Sequence, residues 1–265
     1  MTAPSTASTK FDAAMVERLD KLYASPQIIA QRAKFRSLLA SKTGEVGVDI
    51  GCGVGHLTCE LAREVSPGGR IIALDASADM VTGAKARVNR EKLGQCIEIG
   101  EGDAVALPIA DRSVDFVAAV QVYCYVKDVA RAIGEAARVL RKGGRLAVLE
   151  TDWDMCIYEA KDRALTRRIL NGGWRFPHPH LPRQLHRLLH EAGLTLTRCE
   201  AFPIIETRYE PDSFGAGLAD IARNASVRHG IAAEDADAWV TDIRSRANDG
   251  EYFFCTNRFI FVATK

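Results

Sequence analysis

The sequence has neither a long apolar run nor an excess of charge of one sign. Its 265 residues carry 35 Lys and Arg against 34 Asp and Glu, which leaves a formal charge of +1 at pH 7. A nearly neutral chain does not generate the field that attracts nucleic acid or an anionic membrane. No apolar run approaches the roughly 18 residues of a membrane span. We therefore expect a soluble protein with no nucleic-acid or membrane partner.

Cysteine is present, but without the spacing of a metal site or a disulfide framework. The seven cysteines are odd in number, scattered and never arranged as C-x-x-C, which favours a reducing compartment. The first ten residues, MTAPSTASTK, lack the apolar core of a signal peptide. We predict that residues 1–10 are a disordered tail and that the protein is cytoplasmic.

Between residues 46 and 150, short apolar runs alternate with helical patterns. The predicted strands are Val46–Ile50, Arg70–Leu74, Cys96–Gly100, Val114–Val120 and Arg145–Glu150. The predicted helices between them are His56–Val65, Ser77–Lys92 and Asp128–Leu140. Near-continuous apolar strands alternating with helices predict right-handed βαβ units and a parallel sheet that is covered on both faces.

Helical patterns also flank this region. Two helices are predicted before it, and the second starts with Ser25 as its cap and Pro26 in the first turn. After it, a helix is predicted from about Pro182, and Gly193 is its stop signal. A strand-like run over Leu194–Tyr209 and a final run, YFFCTNRFIFVAT, enclose a polar helical stretch, so these two strands are expected to pair around an inserted segment.

The stretch VGVDIGCGVGHLTCELA places three glycines directly after the first strand. Gly51, Gly53 and Gly55 therefore lie at the carboxyl end of the sheet, where doubly wound folds bind their ligands. The dinucleotide fingerprint has a glycine where this chain has His56, and the Gly-Lys-Ser/Thr of a phosphate loop is absent. A tight turn without a ligand is the alternative interpretation.

Two aspartates follow the next two strands. Asp75 lies about twenty residues beyond the loop, where a carboxylate accepts both hydroxyls of a ribose. Asp103 is positioned to accept a hydrogen bond from an adenine amino group. Either aspartate is alternatively a helix cap. Three neighbouring strand ends with suitable groups favour a ligand that contains a nucleoside.

The stretches VDIGCGVG, ALDASADMV, GDAVALPIADRSVDFV and VLRKGGRLAVLE resemble the successive motifs of the class I S-adenosylmethionine-dependent methyltransferases. The resemblance covers Val46 to Glu150 and is closest to the small-molecule branch, which includes quinone and sterol C-methyltransferases and arsenite methyltransferases. It implies S-adenosyl-L-methionine as cofactor. It also implies a doubly wound, Rossmann-like α/β fold with a seven-stranded sheet whose last strand is antiparallel.

The resemblance also assigns roles to individual residues. Gly51 and Gly53 back the methionine part of the cofactor, Asp75 holds the ribose and Met80 packs on the adenine. Asp103 and Ala104 flank the adenine edge, and Gln121 lies beneath the sulfonium. Three neighbouring candidates complete the predicted cofactor site: Cys52, Ala76 and Arg32, the last as a partner for the cofactor carboxylate. A solvent-exposed helix arginine is the alternative for Arg32.

We predict one methyltransferase domain over residues 11–265. It comprises an N-terminal helical cap (11–43), a cofactor-binding core (44–150) and a helical lid insertion (208–250). The alternative for the insertion is that it only adds stability or forms the surface of a homodimer.

The segment QVYCYVKD follows the fourth strand, where methyltransferases meet their acceptor. Tyr123 and Tyr125 are candidates for lining the methyl channel or bonding the acceptor, and packing under the next helix is the alternative. The segment lacks an Asn-Pro-Pro-Tyr motif, which disfavours amide and DNA-base substrates. It also lacks an acidic residue between Val120 and Asp128, which disfavours the magnesium-dependent catechol type. The scattered cysteines do not favour arsenite.

Two histidines in a later segment, His178 and His180, are candidate general bases, because imidazole accepts protons near neutral pH. Solvent-facing loop histidines are the alternative. We expect no metal site from these histidines with Asp152 and Asp154. The same part of the chain, together with the insertion, supplies aromatic side chains expected to roof the cleft: Trp153, Trp174, Phe176 and Phe214.

These features predict methyl transfer from S-adenosylmethionine to an O, N or C atom of a small, largely apolar acceptor. One alternative is a protein of the same fold that uses the bound cofactor for cyclisation or sensing. A nicotinamide oxidoreductase is disfavoured by His56.

Overall fold

One eight-stranded sheet with helices on both faces forms the centre of the computed structural model, which describes residues 13–173 and 176–265. The predicted tail and Trp174 lie outside the described residues. The strands are β1 (Val46–Ile50), β2 (Arg70–Asp75), β3 (Ile97–Glu101), β4 (Val114–Val120), β5 (Leu140–Thr151), β6 (Ile157–Tyr158), β7 (Thr195–Glu206) and β8 (Phe254–Thr264). The helices are α1 (Ala13–Tyr23), α2 (Pro26–Leu39), α3 (His56–Val65), α4 (Ala78–Arg90), α5 (Val129–Val139), α6 (Arg163–Gly173), α7 (Pro182–Glu191), α8 (Phe214–Arg228) and α9 (Ala233–Ser245).

The strand order is β3-β2-β1-β4-β5-β8-β6, with β7 also paired to β8. Strands β1 to β5 are parallel, and β8 runs antiparallel to β5, β6 and β7. The doubly wound Rossmann-like fold and its antiparallel last strand are therefore confirmed. The sheet has eight strands instead of the expected seven, because the two-residue β6 pairs with Phe254 and Cys255. A strand of two residues has no alternation that a sequence pattern can show.

The helices begin where local capping chemistry allows. Ser77 accepts a hydrogen bond from the amide of Met80, and Asp128 accepts one from the amide of Arg131. Helix α2 has Ser25 as its cap residue and Pro26 in its first turn, although the Ser25 hydroxyl makes no capping bond. Helix α6 is not predicted by the sequence analysis, although Asp162 caps its first turn by accepting from the amide of Leu165.

The core divides between the two faces of the sheet and one helical layer. Helices α5 and α7 pack on one face, and α2, α3 and α4 pack on the other. A third cluster joins α1, α6, α8 and α9 to one end of β7 and β8. Of the inserted helices, α8 packs against the N-terminal helix α1, and α9 packs against α8 and α6. Among the described residues, no helix combines the length and the apolar character that crossing a bilayer demands.

The parallel strands fix the position of the candidate site. Because β1 to β5 run in one direction, their carboxyl ends meet at one edge of the sheet. The segments that follow these strands supply almost every residue that the sequence analysis proposed. The same edge receives the amino-terminal part of β8, since Thr151 of β5 pairs with Arg258 of β8.

Candidate cofactor site

The glycine loop turns directly after β1. Gly53 has φ +53°, a backbone conformation that favours glycine, and no heavy atom lies within 4 Å of where a Cβ would stand. Gly51 has φ +64°, and a Cβ there would lie 2.4 Å from the side chain of Val122. The loop therefore approaches the segment after β4 closely at Gly51 and leaves open space at Gly53.

The carboxylate of Asp75 lies beside this loop. Its Oδ2 accepts a hydrogen bond from the amide of Gly53 at 2.9 Å, and its Oδ1 accepts one from the amide of Ser77 at 2.9 Å. Burial raises the pKa of Asp75 despite these two bonds. Each oxygen keeps a further lone pair, so the carboxylate has capacity for two hydroxyl donors.

The remaining candidates near the predicted adenine have mixed environments. Met80 is buried beneath α1 in the helical cluster, and Ala104 is buried in the sheet core. Ala76 is exposed. Asp103 accepts a hydrogen bond from the amide of Val105 at 3.1 Å, which makes a local turn after β3. The structure thus brings Asp103 to the expected edge of the sheet but gives the Met80 and Ala104 side chains protein neighbours.

Gln121 follows β4 in a conformation that side chains rarely adopt, with φ +57°. The backbone amide of Gln121 donates a hydrogen bond to the backbone carbonyl of Leu149 at 2.8 Å. Its side-chain oxygen accepts a hydrogen bond from the Thr151 hydroxyl at 2.8 Å. A strained backbone that neighbours hold in place is a feature of ligand sites.

A cavity lies between the glycine loop, the end of β4 and helix α2. Its lining includes the predicted residues Cys52 and Gln121. Arg32 also borders it, but this arginine is only 6% exposed and its Nε donates to both oxygens of Glu60 at 3.0 and 3.1 Å. The alternative of a solvent-exposed Arg32 is therefore wrong, and its charge is already paired within the protein.

His56 borders the same cavity at the start of α3. Its Nε2 lies 2.7 Å from Asp20 and 2.9 Å from Arg87. Burial and the Arg87 charge lower the pKa of His56. The histidine that replaces the third glycine of a dinucleotide fingerprint thus ties the loop to α1 and α4.

Two buried charged residues here are absent from the sequence-based candidates. Glu150, at the end of β5, accepts hydrogen bonds from the amides of Val122 and Tyr123, and burial raises its pKa to about 7. Arg258 on β8 is 4% exposed and borders the cavity. Glu150 and Arg258 are each a charged residue in a mainly apolar strand sequence. A charged residue in such a strand is the sequence feature that could have identified them as candidates.

The two candidate tyrosines differ in their surroundings. Tyr123 is fully buried in the core near α5, and its hydroxyl has no hydrogen-bond partner among the described atoms. The packing alternative therefore describes Tyr123. Tyr125 packs edge-on against Phe176, with ring centroids 4.9 Å apart, and Phe176 lies 5.0 Å from Trp153. These three rings, Tyr125, Trp153 and Phe176, form an aromatic cluster after β4 and β5.

The two candidate histidines follow the aromatic cluster along the chain. His178 Nε2 lies 3.1 Å from the carbonyl of Lys127. His180 Nδ1 lies 3.3 Å from Asp152 and 3.6 Å from Asp154. Neither histidine is among the residues that line the cavity under α2.

Asp152, Asp154 and His180 converge closely enough to hold a metal ion. However, Arg183 donates to both aspartates, at 2.6 Å to Asp152 and 2.9 Å to Asp154. A guanidinium between two carboxylates already supplies the positive charge that a cation would bring. The chemistry of this cluster therefore fits an ion-pair network better than a metal site.

Comparisons with known proteins agree with this geometry. The methyltransferase domain family matches residues 48–148. An uncharacterised protein of a Streptomyces fradiae transposon is 37% identical over 185 residues, covering 68% of this chain and 52% of that protein. The demethylmenaquinone methyltransferase of Lactobacillus johnsonii is 36% identical over 120 residues, covering 45% and 49% respectively. The chain thus spans about half the length of these relatives.

Among solved structures, a SAM-dependent methyltransferase from Aquifex aeolicus aligns with a TM-score of 0.57 at 18% identity. The alignment covers 94% of this chain and 99% of that one, and at this identity it shows a shared fold. The fold, the motif region and the open glycine loop beside Asp75 all agree with the family that the sequence resembles. Residues 48–148 therefore form a methyltransferase domain whose cofactor is S-adenosylmethionine.

Proposed function

We propose that the protein transfers the methyl group of S-adenosylmethionine to a small, largely apolar acceptor. The observation that carries this proposal is the hydrogen bond between Gly53 and Asp75, because it places an open loop beside a buried carboxylate at the sheet edge. A ligand with a zwitterionic end and a ribose matches these two features. When bound, the cofactor supplies an electrophilic methyl group.

The residues of this chain then have binding and positioning roles. Asp75 accepts hydrogen bonds from the ribose hydroxyls, and the backbone at Gly53 leaves room for the methionine part. Gln121 fixes the position of the reacting centre, since Thr151 and the β5 backbone hold it rigidly. Helix α2 covers the cavity and excludes water. Roles for Arg32, Cys52, Ala76, Met80, Asp103 and Ala104 remain predictions.

The aromatic cluster supports an apolar acceptor. Tyr125 follows β4, as Gln121 does, and Trp153 follows β5. Phe176, between α6 and α7, packs against both rings. Aromatic rings at the mouth of a cleft bind apolar or aromatic groups. The similar protein from Lactobacillus johnsonii is named for demethylmenaquinone, so quinols and phenols are the first acceptors to test.

A phenol or enol acceptor must lose a proton, and we propose His180 as the general base. A hydrogen bond from Nδ1 to Asp152 leaves Nε2 as the proton acceptor and fixes the ring orientation. His178 is the second candidate. Its Nε2 faces the Lys127 carbonyl, which is an acceptor, so its Nδ1 is the nitrogen left to take a proton.

The state of the cysteines indicates the cellular compartment of the protein. All seven cysteines are free, and Cys52, Cys59, Cys96, Cys124 and Cys156 are buried. We infer a reducing, cytoplasmic location.

Two measurements test the proposed function. Calorimetry should show binding of S-adenosylmethionine and S-adenosylhomocysteine but not of NAD. A panel of phenols and hydroquinones with methyl-labelled S-adenosylmethionine should then give a labelled organic product and S-adenosylhomocysteine in equal amounts.

Each other outcome points elsewhere. Binding of NAD, without binding of S-adenosylmethionine or S-adenosylhomocysteine, would contradict the proposed cofactor and therefore the proposed methyl transfer. Cofactor binding without methyl transfer to any member of an extended acceptor panel would favour the alternative in which the cofactor serves cyclisation or sensing.

A further inference from the structure

Arg258 is a buried cation near the start of β8. It is 4% exposed, and its guanidinium stacks over the ring of Phe214 at 4.6 Å. It donates one hydrogen bond, to the side-chain oxygen of Gln31 on α2. Its Nε is buried and has no hydrogen-bond partner. A guanidinium has five N–H donors, so most of them are unused by the described part of the chain.

No carboxylate of the described residues forms an ion pair with Arg258. Other buried or half-buried arginines of this protein do have such partners, for example Arg32 with Glu60 and Arg87 with Asp20. The groups that raise the pKa of Arg258 are Tyr23, Glu150, Tyr125 and Cys124, while burial lowers the pKa to about 10. The side chain is therefore charged at neutral pH and has no anion in contact with it. Buried charges are normally paired, because an isolated one is costly to remove from water.

The unpaired guanidinium borders the cavity that the glycine loop also lines. Gln31, Gln121 and Tyr23 line the same space, and no Asp or Glu is among the residues that line it. Glu150, whose charge acts on Arg258, is not a lining residue. Because β8 is two strands from β4 in the sheet order, it lies about 10 Å beyond β4 and about 14 Å beyond β1 at the usual strand spacing. In the sheet order, Arg258 on β8 and Asp75 on β2 thus lie on opposite sides of β1 and β4.

We propose that Arg258 binds an anionic oxygen group of the methyl acceptor, such as a carboxylate. This inference rests on the proposed methyl transfer, since it names the chemistry of the acceptor for the same site. The acceptor then has an apolar body and one negative charge. The ring of Phe214, on which the guanidinium stacks, places aromatic surface next to the bound anion.

The test uses pairs of probes that differ in charge alone. Cinnamate, benzoate and decanoate are each compared with the corresponding amide by calorimetry, with the full chain saturated by S-adenosylhomocysteine. We expect at least one carboxylate to bind about tenfold or more tightly than its amide, the range of a charge-assisted hydrogen bond. Arg258→Met should abolish this preference, whereas Arg258→Lys should retain part of it.

A second variant leaves Arg258 in place. Gln31→Glu sets a carboxylate against the guanidinium within the same side-chain volume, so it should abolish the carboxylate preference while the protein stays folded. This variant decides the question if Arg258→Met fails to fold. Affinity for S-adenosylhomocysteine should stay within about twofold of wild type in all folded variants, since the proposed contact is with the acceptor.

Three results would overturn the proposal. The first is equal binding of every carboxylate and its amide by the wild-type protein. The second is a carboxylate preference that persists in Gln31→Glu or Arg258→Met. The third is a loss of about tenfold or more in S-adenosylhomocysteine affinity in these variants, which would assign the guanidinium to the cofactor carboxylate instead. Failure of the proposed function is seen separately, as no binding of S-adenosylhomocysteine to the wild-type protein.

Discussion

The amide of Gly53 donates a hydrogen bond to the carboxylate of Asp75 across 22 positions of the chain. This bond joins the loop after β1 to the end of β2, so the two parts of the predicted cofactor site form one unit. A substitution at either residue is expected to affect binding through both.

Asp75→Ala should weaken the binding of S-adenosylhomocysteine by roughly 2–3 kcal/mol, because it removes charge-assisted hydrogen bonds to the ribose and the anchor of the Gly53 amide. Asp75→Asn should lose less, since its carbonyl oxygen still accepts from Gly53. Calorimetry on the folded variants measures both. Unchanged affinity in Asp75→Ala would remove this residue from the site.

Gly53→Ala should block cofactor binding and leave the fold intact. The added methyl group meets no protein atom within 4 Å, so it projects into the space proposed for the ligand. The positive φ alone costs about 1 kcal/mol of stability. The thermal shift on adding S-adenosylhomocysteine should therefore disappear.

Gly44→Ala is the matched control for this change. Gly44 also has positive φ and open space around its Cβ position, but it precedes β1 at the opposite edge of the sheet. It should lower the melting temperature similarly and keep the full cofactor-induced shift. A normal shift in Gly53→Ala would place the cofactor elsewhere.

Glu150→Gln should change how the free energy of unfolding depends on pH. Burial raises the pKa of Glu150 to about 7, so the folded protein binds a proton that the unfolded chain releases near its ordinary value. The stabilising effect of the protonated carboxyl is present at low pH and is lost as the pH rises through 7. The variant should therefore be less sensitive than wild type between about pH 4.5 and 7, by about 3 kcal/mol at most.

Urea unfolding at several pH values measures this difference. Glu98→Gln is the control, because Glu98 is exposed on β3 and should show the wild-type dependence. Parallel pH curves for wild type and Glu150→Gln would show that Glu150 is not the group that titrates.

His180→Ala should lower turnover about 10²-fold on an acceptor that must lose a proton, with cofactor affinity unchanged. His178→Ala tests the second candidate, and His190→Ala on the exposed face of α7 is the control. Normal turnover in the single variants and in the double variant of His178 and His180 would show that positioning alone carries the reaction.

The region from Val46 to Glu150 is predictable because the sequence features that indicate its strands, helices and loops act over short distances along the chain. The strand over Val46–Ile50 and the helix over His56–Val65 have the predicted bounds. Apolar runs, glycines with positive φ and cap residues act within a few positions of the chain. Asp75 is located by its place at the end of a strand.

The proposed acceptor site depends on contacts between residues that are far apart in the sequence, and a local sequence pattern does not predict such contacts. Gln31 and Arg258 are 227 positions apart and meet only because α2 covers the sheet edge that β8 enters. Likewise, Tyr123 is part of a chemically suggestive segment, but packing against α5 removes it from the surface. Sequence spacing gives no information about which of two neighbouring tyrosines faces a cleft.

The inserted helices α8 and α9 lie between two strands, β7 and β8, that pair with each other. Glu206 and Phe254 face each other in the β7–β8 ladder, and everything between them leaves the sheet and returns to the same point. The segment between them is therefore a separate helical layer, which the strand pairing bounds and which the shared core with α1 and α6 joins to the rest of the protein. Since Phe214 of this layer stacks with Arg258 of β8, we expect a replaced layer to change the surroundings of Arg258 while the strand pairing stays the same. The predicted cofactor residues all precede residue 151 and lie outside this layer.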